Sequence, residues 1–452
     1  MISFFKNNLN FILKSTVLAV IGLIIIGGVW SGIGLYADAS GWLCSIIKTK
    51  SFLVWDPARL YGMFIMTLPA VLAIKLGLRD LPLLIDIYSL GSLGIPLSLW
   101  IWALLIHRKS DYFWFFVLGL SVTYLNTGFY TLGIHNVLYS MVALSAAILF
   151  KNLDSVIDVG DSIVLFVLAF LMTRSYAAMV FLGPLLIVIV TIRFRLAKSL
   201  NLTFSRFVKI ALFSCLTLYL FSTLFSAYVI RYPQFPAQVA DASIISKRIV
   251  RIPVLFSFEM LLVFMLLKKA KKKQSKTLIG LLGIFSAIAY ILFGQFWPIH
   301  FEYCSFRALC GLNLFLWLAI MASDLLFQHL KPLQNIQKNN LFAFVSFVFF
   351  IALSIPFLSH LGKLRDWNQA FEKEVNQQSG LLVWEELPLS LNEPDKSYSY
   401  NWNNPSISLL VRNNLTGAII LTPKGTPWEP FDPNTSIPKF DSAFYKSRSL
   451  FR

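Results

Sequence analysis

The amino-acid sequence predicts an all-α polytopic membrane protein that ends in a small α+β domain outside the membrane. Of its 452 residues, 57% are hydrophobic and 13% are charged, whereas soluble proteins carry about 25% charged residues. Apolar runs of about 18 residues or more, each long enough to cross a bilayer, recur along most of the chain. Beyond residue 358 the sequence becomes polar and rich in Pro and Asn.

The hydropathy pattern predicts about eleven transmembrane helices. Their approximate ranges are 15–35, 81–106, 112–128, 131–150, 161–173, 177–193, 208–229, 252–267, 277–296, 308–327 and 341–358. The first run follows Lys6 and Lys14 and is about 20 residues long, which is longer than the apolar core of a signal peptide. We therefore expect an uncleaved first span. The alternative is cleavage after Ala39 in the sequence ADA, which would remove Asp38.

Loop charges decide how one further apolar stretch, residues 60–78, is interpreted. If this stretch does not cross the membrane, the basic loops 107–109, 193–198 and 268–276 lie on the same side as the N-terminus. Lys and Arg collect in cytoplasmic loops, so this side is predicted to be the cytoplasm and the C-terminus to be extracytoplasmic. We therefore predict that residues 60–78 form an interfacial or re-entrant helix on the outer face, kinked at Pro69.

The predicted domain boundary follows residue 358. Residues 1–358 would form the transmembrane domain, including an outer loop, 37–80, that contains the interfacial helix. Residues 359–452 would form a small extracytoplasmic domain. We predict no independent hydrophobic core for it, because it is too small and too polar.

Within that C-terminal segment, residues 361–380 carry charged and polar faces and are predicted to start as a helix. Two short apolar runs follow, at 406–411 and 417–422, separated by RNNLTG, a sequence typical of a turn. These short runs are the reason for predicting an α+β segment.

Charge and cysteine content exclude several functional classes. A formal net charge of +17 on a soluble protein would suggest nucleic acid binding. Here the positive-inside bias explains most of the charge, so no nucleic-acid partner is expected. The four cysteines (Cys44, Cys215, Cys304 and Cys310) lack the spacing of metal ligands. No metal site and no cofactor are predicted, and a divalent metal is not indicated.

About eleven Lys and Arg residues nevertheless fall in short outer segments, against the positive-inside bias. Ionisable groups close to the hydrocarbon region are costly and usually functional. Arginine binds phosphate in a bidentate manner and lysine binds it as a point charge, so a basic outer rim predicts binding of a lipid-carrier phosphate. The candidate substrate-binding residues are Arg59, Arg174, His300, Glu302 and Arg307.

Each of these candidates has a structural alternative. Arg174, in the sequence MTRSY, interrupts an apolar stretch and could instead extend to lipid headgroups. Arg307 could form an ordinary ion pair with Glu302. A structural role is more common than a catalytic one for a histidine such as His300.

Two carboxylates lie on the same outer rim. Asp38 ends the first apolar run, and Asp56 lies in the sequence WDPAR. A carboxylate held within hydrogen-bond reach of an acceptor hydroxyl can act as a general base, so both residues are candidate catalytic groups. The alternative for Asp38 is a helix cap or solvation at the end of a span. Asp56 precedes Pro57, the pattern of a helix N-cap, which makes its structural alternative stronger.

The layout resembles the GT-C superfamily of membrane glycosyltransferases. The similar features are Asp38 just past the first span, an interfacial helix, a long second span that ends in LIHRK, and a C-terminal extracytoplasmic domain. The sequence FEYCSFRAL (301–309), ahead of a late span, is similar to the outer loops with Arg and Tyr in some members.

The resemblance implies glycosyl transfer at the outer membrane face, from a polyprenyl-phosphate-linked sugar to a lipid, glycan or protein acceptor. The first-loop aspartate of the family corresponds to Asp38, with Asp56 as its competitor. Arg174 and Arg307 would bind the donor phosphate and stabilise its growing charge. An integral protein of the bacterial inner membrane is the expected setting.

Two other functional classes stay open. A polysaccharide or O-antigen polymerase or ligase would handle similar lipid-linked sugars, but usually with a large loop between late spans. A transporter or flippase for lipid-linked sugars would instead need internal repeats or paired broken helices at mid-membrane. The location of the essential residues separates the classes: at the outer rim for a transferase, at mid-membrane for a transporter.

Overall fold

The computed structural model describes residues 2–36, 38–53, 56–110, 112–125, 133–151, 156–199, 203–232, 303–328, 340–382, 387–388, 391, 398, 404–413 and 419–420. The predicted spans 252–267 and 277–296 lie outside the described residues.

The described part is predominantly helical. Its α-helices are α1 (Ile2–Trp30), α2 (Asp38–Thr49), α3 (Leu60–Lys75), α4 (Leu81–Ser89), α5 (Ile95–Ile106), α6 (Tyr112–Leu120), α7 (Ile134–Leu149), α8 (Val159–Met172), α9 (Met179–Ser199), α10 (Arg206–Arg231), α11 (Tyr303–Gln328), α12 (Asn340–Gln377) and α13 (Asn404–Val411). Short 3-10 helices cover Ile33–Leu35 and Pro57–Arg59, and π-helical turns cover Leu90–Gly94 and Ser121–Leu125.

Five stretches of the described chain are long and apolar enough to cross a membrane. They are Leu9–Trp30, Leu81–Ile106, Met179–Lys198, Arg206–Arg231 and Leu341–Gln377. The prediction of an all-helical protein with long apolar helices is therefore confirmed, and these helices are compatible with an integral membrane protein.

The predicted count of about eleven spans is not confirmed in the described residues. Several of the predicted spans are shorter apolar helices, among them Tyr112–Leu125, Ile134–Leu149 and Val159–Met172. A 14-residue helix is only about 21 Å long, while the hydrocarbon core is about 30 Å thick. Hydropathy alone did not separate these from full crossings, because a short buried helix and a membrane span are both apolar throughout.

Residues 60–78 begin as a helix, α3, with Pro69 inside it. Gly77 follows at a φ of 94°, a left-handed conformation that glycine adopts without a steric cost. Asp80 then caps α4, because its Oδ1 accepts a hydrogen bond from the Leu83 N–H at 3.0 Å. The predicted helix is confirmed, and its place at a membrane interface stays a prediction.

Several basic loops gather at one end of the bundle, which we call the basic end. Lys14 Nζ donates to the carbonyl oxygens of Arg108 at 2.9 Å and Ser110 at 3.2 Å. Lys151 forms an ion pair with Asp161 at 2.6 Å, and Arg193 Nη2 donates to the Lys151 carbonyl at 3.2 Å. The start of α1 and the loops after α5, α7 and α9 therefore share one end, as the charge pattern predicts for a single side of the membrane.

His107 closes α5 at the basic end and is 4% exposed. Its Nε2 lies 2.9 Å from the carbonyl oxygen of Ala147, and its ring stacks on Phe116 with the centroids 4.9 Å apart. Burial lowers the pKa of His107 to about 4. The hydrogen bond to the Ala147 carbonyl acts in the opposite direction, but its effect on the pKa is smaller than that of burial. The imidazole is therefore neutral in the folded protein at neutral pH.

We expect the protein to lose stability between pH 7 and pH 5, because the unfolded chain protonates His107 and the folded one does not. With an ordinary pKa of 6.5 in the unfolded state, the loss at pH 5 is about 2 kcal/mol from this residue. Thermal unfolding in detergent micelles measures it. The variant His107→Gln should depend less on pH than wild type, and equal pH dependence in both proteins would contradict the assignment.

The first part of the C-terminal segment continues the long apolar helix that precedes it. α12 is 38 residues long, so it is about 57 Å in length and exceeds the bilayer thickness. The predicted helix in 361–380 is confirmed, but it continues the preceding span without a break.

The α+β prediction for this segment is not supported in the described residues. The run 406–411 is part of helix α13, and all of α13 is buried. The only strands described here are Leu381–Leu382 and Ile419–Ile420, which pair in parallel. A short apolar run does not distinguish a buried strand from a buried helix by periodicity, and Pro405 in the first turn favours the helix.

Candidate functional site

The turn between α8 and α9, residues 173–178, lies part-way along the bundle. Ser222 Oγ of α10 donates to the Met172 carbonyl at 3.0 Å, and Thr223 Oγ1 approaches the Met179 carbonyl at 3.4 Å. From this level α10 continues to Arg231, which is about 12 Å further along the helix. The α8–α9 turn is therefore well short of the Arg231 end of α10.

α3 begins at the same level and leads away from the basic end. Its Tyr61 N–H donates to the Arg174 carbonyl at 3.0 Å, and Gly62 packs against Ile134 at the start of α7. α7 reaches the basic end at Ala147, so Ile134 is about 20 Å away from that end. The start of α3, the start of α7 and the α8–α9 turn thus meet at one level inside the bundle.

A polar and aromatic group occupies this level. We call it the mid-bundle cluster and define it as Asp56, Arg59, His135, Arg174 and Tyr176. Buried polar groups at such a position are expensive and need partners, so their retention points to a structural or functional requirement.

Asp56 and Arg59 form the best-defined part of the mid-bundle cluster. Arg59 Nε lies 3.0 Å from Asp56 Oδ2, and both side chains are about 5% exposed. Asp56 Oδ1 also accepts from the Ala58 N–H at 2.8 Å, which caps the 3-10 helix that contains Pro57. The predicted N-cap at Asp56 is confirmed, and an ion pair that the sequence did not predict accompanies it.

Tyr176 connects this ion pair to His135. The Arg59 guanidinium lies 5.2 Å from the centroid of the Tyr176 ring, within cation–π range. The ring of Tyr176 is 5.8 Å from that of His135, and the ring of Tyr139 stands edge-on to both. His135 is fully buried in this aromatic group.

His135 is held against the backbone at the start of α7. A Cβ on Gly133 would collide with the His135 ring, although the backbone conformation at Gly133 (φ −136°, ψ 151°) is open to any residue. The small size of Gly133 is therefore what permits this position of the histidine.

We expect Gly133→Ala to lower the free energy of unfolding by about 1–3 kcal/mol, because the His135 ring must move inside a packed group. Gly22→Ala is a suitable control, since no atom lies within 4 Å of a Cβ at that helical site. Thermal unfolding of both variants measures the difference. Equal stability of the two variants would show that the His135 ring does not depend on Gly133.

Arg174 lies in the α8–α9 turn between α3 and α10. Its side chain is half-buried, and its guanidinium is 5.8 Å from the centroid of the Phe225 ring of α10. The Arg174 carbonyl receives the Tyr61 N–H described above. The guanidinium thus lies below the Arg231 end of α10, away from the basic end.

Asp38 belongs to a second group, around the start of α2. It is the first residue of α2 and is half-buried. A carboxylate in the first turn of a helix is stabilised by the helix dipole, which agrees with the structural alternative. Ser89 Oγ of α4 accepts from the Gly34 N–H at 2.9 Å and so fixes the turn that precedes Asp38.

Tyr88 lies in this second group, and the sequence analysis did not identify it. Its side chain is fully buried, it lies within electrostatic reach of Asp38, and its hydroxyl has no hydrogen-bond partner among the described residues. A tyrosine in an apolar span is a weak sequence signal, because aromatic residues are common at membrane interfaces.

The other predicted site residues are not placed. His300 and Glu302 lie outside the described residues, so their contacts with Arg307 are untested. Arg307 is in the first turns of α11. In the part of the chain that the structure describes, no three His, Cys, Asp or Glu side chains are grouped closely enough to hold a metal ion.

Comparison with protein-family models, with curated proteins and with solved structures finds no match to this chain. The resemblance to the GT-C superfamily therefore stays a hypothesis from the sequence.

Proposed function

We propose that this protein is a membrane glycosyltransferase that moves a sugar from a polyprenyl-phosphate-linked donor to a lipid, glycan or protein acceptor on the outer face of a bacterial inner membrane. The observation that carries the proposal is the mid-bundle cluster, in which two arginines, an aspartate, a histidine and a tyrosine lie at one level inside the bundle. The proposal puts the basic end in the cytoplasm.

The chemistry of the mid-bundle cluster suits an amphiphilic phosphate. Arg174 offers donors for phosphate oxygens at a depth that a lipid-linked headgroup can reach while its chain stays in the bilayer. Arg59 is neutralised by Asp56 at 3.0 Å, so its role is to hold Tyr176 in place. A guanidinium in a place of low dielectric would stabilise the charge that develops on the phosphate as the glycosidic bond breaks.

Asp38 supplies the other half of the proposed reaction. It is a half-buried carboxylate at the start of α2, within electrostatic reach of Tyr88, and we propose that it accepts the proton of an acceptor hydroxyl. Asp56 is the competing candidate; its carboxylate pairs with Arg59 and accepts from the Ala58 N–H.

The test is transfer of radiolabelled sugar from polyprenyl-phosphate donors to membrane lipid or glycan by the purified protein. We expect Arg174→Ala to lower transfer by about two orders of magnitude, as expected for loss of a group that stabilises a developing charge. Arg231→Ala, an exposed arginine at the outer end of α10, should stay close to wild type. Equal transfer by both variants would contradict the phosphate role of Arg174.

A transporter of lipid-linked sugars is the second candidate, and two observations favour it: the mid-bundle position of the cluster, which is the position expected of a transporter site, and a pair of π-turns. The π-turn Leu90–Gly94 interrupts the helix Leu81–Ile106, and the π-turn Ser121–Leu125 follows α6; Tyr124 Oη of the second donates to the Leu93 carbonyl of the first at 3.3 Å. π-Turns in helices are frequent at functional sites. Reconstituted vesicles separate the two candidates, because a transporter would translocate the lipid-linked sugar and retain that activity in Asp38→Asn.

A further inference from the structure

Helix α13 lies on α2, the helix that begins with Asp38. Cys44 Sγ donates to the Ser406 carbonyl at 3.4 Å, and Gly41 faces the Ser406 hydroxyl. All eight residues of α13 are buried, and Cys44 is 5% exposed. α13 therefore covers one face of α2 along its middle turns.

The side chain of Asn376, near the end of α12, contacts the C-terminal end of α13. Asn376 Nδ2 donates to the Val411 carbonyl at 3.1 Å, and Asn376 Oδ1 accepts from the Asn413 N–H at 2.7 Å. The last carbonyls of a helix have no partner inside the helix, so an external donor such as this amide completes the end of α13. The same Nδ2 also approaches the Glu372 carbonyl at 2.9 Å, which orients the amide on its own helix.

The outer part of α12 is itself fixed to the end of α1. Asn368 Nδ2 donates to the Ser31 carbonyl at 2.9 Å. The Arg365 guanidinium lies 3.7 Å from the centroid of the Trp30 ring, a close cation–π contact. Contacts therefore run from the end of α1 through α12 and α13 to α2. α12 holds the chain before Asp38 directly, at Trp30 and Ser31, and the chain after Asp38 through α13, at Cys44.

We propose that Asn376 is a positioning residue, which fixes α13 on α2 and thereby sets the place of Asp38. The role in catalysis rests on the proposed function, whereas the role in fixing α13 does not. The Asn376 amide is suited to this role because it donates one hydrogen bond to the C-terminal end of α13 and accepts another from it. An alanine loses both bonds, and an aspartate keeps only the acceptor.

The reactivity of Cys44 reports on this contact without an activity assay. Burial raises the pKa of the Cys44 thiol to about 12, so the covered thiol should react slowly with a maleimide. The parent protein for the test carries Cys215→Ala, Cys304→Ala and Cys310→Ala, so that Cys44 is its sole thiol. Gln378→Ala is the matched control, because among the described residues its side-chain amide contacts Glu374 of the same helix end, at 3.2 Å, and not α13.

We expect Asn376→Ala to raise the rate of Cys44 labelling in the folded protein by about tenfold, because loss of two hydrogen bonds makes local opening of α13 easier. Asn376→Asp should lie between Asn376→Ala and the parent, and Gln378→Ala should match the parent. Labelling of Asn376→Ala at the parent rate would overturn the proposal.

The sugar-transfer assay then tests the link to Asp38. Asn376→Ala should lower kcat by about tenfold with little change in KM for the donor, and Asn376→Asp should recover part of it. Faster labelling with unchanged kcat would overturn the positioning role for Asp38. If wild type transfers no sugar from any donor, the proposed function fails, and the labelling rates alone still decide whether Asn376 fixes α13.

Discussion

Replacing Arg59 with methionine is expected to lower the free energy of unfolding by about 3–5 kcal/mol. The change leaves the Asp56 carboxylate buried without the guanidinium that lies 3.0 Å from it. Methionine keeps the length and much of the apolar stem of arginine, so the loss reports chiefly on charge. It also removes the cation from the face of Tyr176 at 5.2 Å. Chemical or thermal unfolding in detergent micelles measures the effect.

Two further variants isolate the ion pair. The double variant Asp56→Asn/Arg59→Met removes both charges and keeps an oxygen to cap Ala58, so it should recover much of the lost stability. Lys75→Met, at the exposed end of α3, should change stability by no more than about 0.5 kcal/mol. If Arg59→Met proved as stable as Lys75→Met, Asp56 and Arg59 would not form the structural pair described here.

Asp38→Asn is expected to lower kcat for sugar transfer by about 10²- to 10⁴-fold, the usual contribution of a general base. Asparagine keeps the size and the hydrogen-bonding oxygen of aspartate but does not accept the proton of the acceptor hydroxyl. KM for the donor should change little, because the interaction that is lost belongs to the transition state. Initial rates at several donor and acceptor concentrations separate the two constants.

The matched control is Asp366→Asn, an exposed acidic residue on the outer part of α12. It should transfer sugar at the wild-type rate and unfold at the wild-type temperature. An unchanged kcat in Asp38→Asn would reduce Asp38 to the first residue of a helix with a favourable dipole contact. A large loss in Asp56→Asn that exceeds its loss of stability would then move the general base to Asp56.

Local sequence patterns predicted those features that depend on neighbours in the chain. Asp56 before Pro57 predicted a capped turn, because the carboxylate and the N–H it binds are two residues apart. The long apolar runs predicted α1, α10 and the Leu81–Ile106 stretch, because hydropathy is also a property of consecutive residues. The basic loops were predicted to lie at a common end, because the positive-inside bias acts on each loop separately.

The mid-bundle cluster was not predictable in this way, because its members come from distant parts of the chain. Arg59, His135 and Tyr176 meet only after α3, α7 and the α8–α9 turn have packed. The sequence did single out Arg174 and Arg59, since arginines in apolar surroundings are rare, but it did not indicate that Arg59 is paired with Asp56. Tyr88 and Asn376 carried no local signal: Tyr88 stands out only because the fold brings it within electrostatic reach of Asp38, and Asn376 because it hydrogen-bonds the end of α13.

Binding of polyprenyl phosphate to the purified protein is the most direct test of the central claim, that the mid-bundle cluster receives a lipid-linked phosphate. Native mass spectrometry compares its retention with that of the uncharged polyprenol of equal length. Wild type and Arg231→Ala are expected to retain polyprenyl phosphate in preference to polyprenol, and Arg174→Ala is expected to lose that preference. Equal retention of the two lipids by wild type would contradict the claim.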